Sequence, residues 1–215
     1  DRLLSRGLGD VYKRQPLALL IVGKTNSGKS NVAKEVIRKL HTLRKVDHFF
    51  LITSSASYRS PTNKVNQWCR DDQVLLWDDS SRMNEDMRKV FFANLAEQLQ
   101  EWSAQNERTL ILFDDVTKFL RDKSFDFQSL LTEGRHSMVD IILIMHDLPN
   151  ASLSSETHFR QYFDNVIVCQ KSLVNRIAER NLFGFEKKHT KHYKKNCQCI
   201  SCHVDTFFVP AHEER

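Results

Sequence analysis

Eight consecutive residues, Gly23, Lys24, Thr25, Asn26, Ser27, Gly28, Lys29 and Ser30, satisfy the spacing G-x-x-x-x-G-K-S/T, a Walker A pattern. The chemistry open to that spacing is the holding of a phosphate chain. Glycines let the backbone curl until successive N–H groups face one anion, and the positive end of a following helix reinforces the field. Lys29 would then reach the β- and γ-phosphates, and Ser30 would ligate Mg²⁺. At background residue frequencies a chance match in a chain this long is on the order of one in a hundred. The competing reading is a glycine-containing turn that merely opens a helix. An apolar run before the loop and a helical pattern after it supply the context that phosphate binding requires.

A bound triphosphate needs a second group for its metal. Leu110-Ile111-Leu112-Phe113 leads into Asp114 and Asp115, at the carboxyl end of an expected strand, where open α/β sheets bind ligands. Asp114 would hold Mg²⁺ directly or through water, a Walker B role, and Asp115 would polarise the attacking water. Without the loop upstream, a helix cap after a buried strand would account for both acids. A base beside the metal carboxylate suits attack by water better than transfer to a second substrate. Asn63-Lys64-Val65-Asn66 lacks the terminal Asp of a guanine-reading motif and precedes the metal strand. No Arg-rich lid marks a nucleotide kinase. Further on, Gly134-Arg135-His136 precedes an apolar run that ends in His146-Asp147. His146 at a strand tip would sense the γ-phosphate, and Arg135 would reach a γ-phosphate held by an adjacent subunit. A capping histidine and a surface arginine are the plainer alternatives.

These groups need a scaffold that brings strand ends together, and the sequence supplies one. Apolar runs recur with helical stretches between them, the pattern of a parallel sheet covered by helices. Strands are expected over 17–22, 48–53, 74–77, 109–113, 139–145 and 166–169. Helices are expected over 31–43, with Val32, Val36, Ile37 and Leu40 inward, and over 83–105, with Met87, Val90, Phe91, Leu95 and Leu99 near helical spacing. Shorter helices are expected over 125–132, closed by Gly134, and over 173–182, and residues 54–66 read as a loop. Residues 197–209 read as one or two edge strands.

Composition bounds the rest. The 215 residues are 40% hydrophobic and 27% charged, with six Gly and four Pro, which suits one globular domain and excludes a collagen-like or linker-dominated chain. The longest aliphatic run is far too short to span a bilayer, so no membrane partner is expected. Residues 1–15 resemble a translated adaptor leader, with a genuine basic arm as the alternative; residues 16–215 read as a single domain with a basic tail from about 186. Residues 171–195 hold eight Lys/Arg against Glu179 and Glu186 in a chain of net charge +5, so a basic block sits on a mildly acidic body. Such a block can meet phosphates or simply be a solvated face. Five cysteines, an odd number, suit a reducing compartment rather than a secreted disulfide framework. Cys197, Cys199, Cys202 and His203, near His189 and His192, offer soft ligands to Zn²⁺; as edge-strand residues the cysteines would serve equally as small apolar side chains.

The loop GKTNSGKS, the strand LILFDD and the segment EGRHSMVDIILIMHD together resemble the packaging ATPases of the FtsK/HerA superfamily, above all its small viral branch of poxvirus-like, virophage and polinton-type enzymes. The resemblance covers most of residues 16–183. It implies a RecA-like P-loop NTPase with a mostly parallel central sheet, in which the metal strand is separated from the phosphate-loop strand by another strand. It also implies a homo-oligomeric ring, a hexamer, that uses ATP and Mg²⁺ to move double-stranded DNA into a preformed capsid, inside the infected cell and with a place in the virion. Matched by position, Lys29 and Ser30 take the phosphate and Mg²⁺ contacts, Asp114 the metal carboxylate and Asp115 the catalytic acid. Arg135 takes the trans-acting finger and His146 the sensor. Asp115 stands where the family more often has Glu, and His146 where it usually has Gln. Two rival functions share the nucleotide chemistry: a helicase or replication ATPase of a small DNA element, and a nucleotide-dependent scaffold that does not hydrolyse.

Overall fold

The strands that carry the chemistry are apolar on both faces, and that places them at the centre of a sheet with helices on each side. The computed structural model describes residues 16–60, 69–76, 85–116, 130, 134, 137–146, 163, 165–169, 173, 200–203 and 207–208. In chain order these form β1 (Ala18–Val22), α1 (Lys29–Arg44), β2 (His48–Thr53), a short α2 (Ser55–Arg59), β3 (Val74–Leu76), α3 (Glu85–Ala104), β4 (Thr109–Asp114), β5 (Val139–Met145), β6 (Asn165–Val168), β7 (Ile200–His203) and β8 (Phe207–Phe208). The sheet order is β3-β2-β4-β5-β1-β6-β7-β8. The strands β1 to β6 are mutually parallel, whereas β7 and β8 add on antiparallel. This is a RecA-like P-loop fold with a small C-terminal β extension, and β5 lies between the phosphate-loop strand β1 and the acidic strand β4.

Side-chain alternation divides the core into two layers. Leu20, Val22, Ile111, Phe113, Leu143 and Met145 point to the face covered by Phe92 and Leu99 of α3. Leu19, Ile21, Leu110, Leu112, Ile142 and Ile144 point to the face covered by Ala33, Ile37 and Leu40 of α1. On α3 the inward stripe is Phe92, Leu95, Leu99 and Trp102, while Met87 and Val90 are exposed. Of the residues expected to face inward, Leu95 and Leu99 do so, whereas Met87 and Val90 face solvent. Residues 55–59, expected as loop, make the single turn of α2, because Ser54 caps it by accepting from Ser57 N. Gly134 lies within helix rather than after it.

Parallel pairing puts all carboxyl ends on one edge. In register, Thr53 lies beside Asp114 and Asp114 beside Ile144, while Val22 lies between Met145 and Val168. The opposite edge is tied by a buried ion pair, Arg108 Nη1 to Asp140 at 3.1 and 3.2 Å. Asp140 also accepts from Leu17 N at 2.7 Å, so β1, β4 and β5 are fastened at their starts.

Candidate active site

The loop after β1 begins wedged between strands: Gly23 N donates to Met145 O at 3.1 Å, and Cys169 N donates to Val22 O at 2.8 Å. Gly23 is needed for space. A Cβ there would lie 2.3 Å from Ser27 Oγ and 2.9 Å from Cys169 Cβ. The turn itself is made by left-handed backbone at Asn26 (φ 63°) and Gly28 (φ 89°), conformations that Asn tolerates and Gly adopts freely. Gly28 is the N-cap of α1, and the first turn of that helix has no acidic residue, so its positive end remains available to an anion.

Lys29, buried to 6% exposure, opens α1. Its Nζ donates to Lys24 O at 2.8 Å and lies 3.4 Å from His146 Nδ1. Burial pushes the ammonium below its ordinary pKa, against the opposing fields of Cys169, Asp114 and Asp115. The lysine therefore sits in a pocket where a polyanion would be favourable, held meanwhile by a carbonyl of its own loop. Ser30, half-buried, follows on the same turn. Asp114, at 7% exposure, ends β4. Asp115 is one residue beyond, with φ 54°, and its Oδ1 lies 3.9 Å from His146 Nε2. The His146 ring also stands 3.5 Å from Thr25 Oγ1. One imidazole thus neighbours the loop threonine, the loop lysine and the second acid.

Sequence reasoning passed over Ser54, whose hydroxyl donates to Asp115 Oδ2 at 3.2 Å. Nothing in its local sequence marks it; only the pairing of β2 with β4 brings it there. Cys69 is the other neighbour not foreseen: burial, aided by the field of Asp114, pushes its thiol up to about 11. Arg135, Cys197 and Cys199 fall outside the described residues, and Cys202 and His203 lie on β7.

The donor set beside Lys29 is a hydroxyl, Ser30, and a carboxylate, Asp114. Both are hard oxygen donors, and Mg²⁺ takes one or two such protein groups with phosphates and water completing its shell. Among the described residues no group of three or more His, Cys, Asp or Glu is assembled, and no helix is long and apolar enough to cross a membrane.

Comparison with known proteins follows the same lines. A structure of the genome packaging NTPase B204 from Sulfolobus turreted icosahedral virus 2, in complex with sulfate, is similar with a TM-score of 0.60 at 15% identity, over 90% of this chain and 95% of that one. The same protein in complex with ATP-gammaS gives 0.58 at 16% identity, over 90% and 95% of the two chains. B204, the DNA-packaging ATPase from Sulfolobus turreted icosahedral virus, gives 0.58 at 16% identity, over 92% of this chain and 100% of that one. At such identities the likeness is one of fold. No curated protein sequence matches the chain. A family model does, however, and it spans both the phosphate loop and the acidic strand. By that match to the poxvirus A32 protein over residues 9–191, the chain belongs to the poxvirus A32 protein family.

Proposed function

We propose that the chain is a Mg²⁺-dependent ATPase that drives double-stranded DNA into a preformed viral capsid, working in the infected cell as a homo-oligomeric ring of about six copies. The observation that carries the reading is the placement of His146, 3.4 Å from Lys29 Nζ and 3.9 Å from Asp115 Oδ1. The phosphate loop and Asp115, remote in sequence, meet across one side chain. Membership of the A32 family and the fold likeness to a genome packaging NTPase support the same conclusion.

The chain's own groups divide the work. Lys29 exchanges the Lys24 carbonyl for phosphate oxygens, and the N–H groups of residues 23–30 orient them at the head of α1. Ser30 and Asp114 would hold Mg²⁺, which when bound neutralises charge on the β- and γ-oxygens. Asp115 orients the attacking water and accepts its proton. His146, in reach of Thr25, Lys29 and Asp115, senses occupancy of the γ position. Arg135 of a neighbouring copy would offset charge developing on the transferred group. The basic segment around Lys187–Lys195 would meet DNA through its phosphates, giving salt-sensitive contacts with little sequence preference.

Hydrolysis by wild type, Lys29→Ala and Asp115→Asn tests the reading. Lys29→Ala is expected to lose both binding and turnover. Asp115→Asn is expected to keep ATP binding and lose about a hundredfold or more in kcat. Rates near background in all three proteins would replace the motor with a nucleotide-dependent scaffold. Movement along blunt duplex without strand separation is expected; unwinding of a forked duplex would favour the helicase.

A further inference from the structure

Asp115 lies beyond the end of β4 in a left-handed conformation, φ 54°, so no strand ladder fixes it and its carboxylate depends on neighbouring side chains. Two flank it. On the β5 side, His146 Nε2 lies 3.9 Å from Oδ1, beyond direct hydrogen-bond range. On the β2 side, buried Ser54 donates to Oδ2 at 3.2 Å. The same Ser54 oxygen accepts from Ser57 N at 3.1 Å as the cap of α2. A hydroxyl has one proton. With its oxygen already accepting the Ser57 N–H, that proton is directed to Asp115 Oδ2. In the sheet order β2-β4-β5-β1, Ser54 grips the carboxylate from the side away from the phosphate loop.

Resting on the ATPase reading above, we infer that Ser54 is a positioning residue for Asp115: it pins Oδ2 so that Oδ1 is presented toward His146 and the attacking water. Because the hydroxyl also caps α2, its two roles are separable by substitution. Ser54→Ala removes both. Ser54→Asp keeps a capping acceptor but has no proton to donate and sets a like charge against Asp115. Ser54→Thr keeps both.

Steady-state ATPase kinetics with a parallel titration of a non-hydrolysable ATP analogue test the assignment. Ser54→Ala and Ser54→Asp are expected to lower kcat by on the order of tenfold to a hundredfold, the cost of a misplaced catalytic group, with KM and analogue affinity within about twofold of wild type. Ser54→Thr is expected to restore kcat to within about threefold of wild type. A Ser54→Ala protein as fast as wild type overturns the assignment alone, as does a Ser54→Asp protein as fast as Ser54→Thr, which would leave only the cap. A wild-type chain that binds ATP without turning it over removes the ATPase reading and this assignment with it.

Discussion

At Gly23 the constraint is a volume smaller than a methyl group. The backbone there does not need a positive φ; what it needs is clearance, since an added Cβ would overlap Ser27 Oγ at 2.3 Å and crowd Cys169 Cβ at 2.9 Å. Ser27 Oγ is itself buried and, among the described residues, has no hydrogen-bond partner, so it fills the space that the missing side chain leaves. Gly23→Ala should therefore force the loop outward at a cost of about 1–3 kcal/mol, the usual range for overpacking, and weaken ATP binding by about tenfold or more. Because the closest clash is with the serine oxygen, Gly23→Ala/Ser27→Ala should recover part of the loss, a coupling that a double-mutant cycle by calorimetric titration would measure. Additive effects would mean that Gly23 acts through Cys169 or the backbone instead. A spacing pattern identifies both residues without indicating that they need each other.

Elements fix the site by holding strand ends in line, and the clamp for that lies at the far edge. Arg108 and Asp140 are both buried, at 6% and 0% side-chain exposure, with 3.1 Å between charged atoms, and Asp140 takes the Leu17 amide as well. Asp140→Asn keeps an acceptor for Leu17 but removes the negative charge opposite a buried guanidinium, so unfolding by denaturant should show a loss of about 3–5 kcal/mol; a loss below about 1 kcal/mol would mean the pair is relaxed by water. Much of this layer is legible in sequence. β2 and β5 are largely apolar runs with the boundaries expected of them, and β4 ends in Asp114 with Asp115 one residue beyond. What sequence hides is set by distant contacts. Met87, Val90 and Phe92 are all apolar, and the packing of α3 on the face that holds Ile111, Phe113 and Leu143 decides that Phe92 faces inward and the other two do not. Ser54 is an ordinary loop serine until β2 is known to pair with β4. Local pattern finds the groups proposed to meet phosphate; strand order finds the serine proposed to position Asp115.

At the scale of the whole molecule, the site is deep on one side and open on the other. Lys29 and Asp114 are buried at 6% and 7% exposure, whereas Asp115 and His146 keep 43% and 49% of their side chains exposed in the single chain. Charge developing on a transferred phosphoryl group would thus be met from the loop side and left to solvent on the other. A group brought by a second copy would close that side, and such an arginine is worth on the order of 10³-fold or more in turnover. Arg135 is the proposed source. Arg135→Ala should bind ATP as wild type does and hydrolyse it on the order of a thousandfold more slowly. Mixing it with Lys29→Ala then discriminates between local and intersubunit action. An intact site needs Lys29 from one copy and Arg135 from the next, so random equal mixing in a ring makes about a quarter of the interfaces whole. ATPase activity should rise to a comparable fraction of wild type, although each protein alone is inactive. Absence of rescue in rings shown intact by light scattering would place Arg135 outside the neighbour's site, and the exposed side of Asp115 and His146 would then have to be closed by another part of the chain.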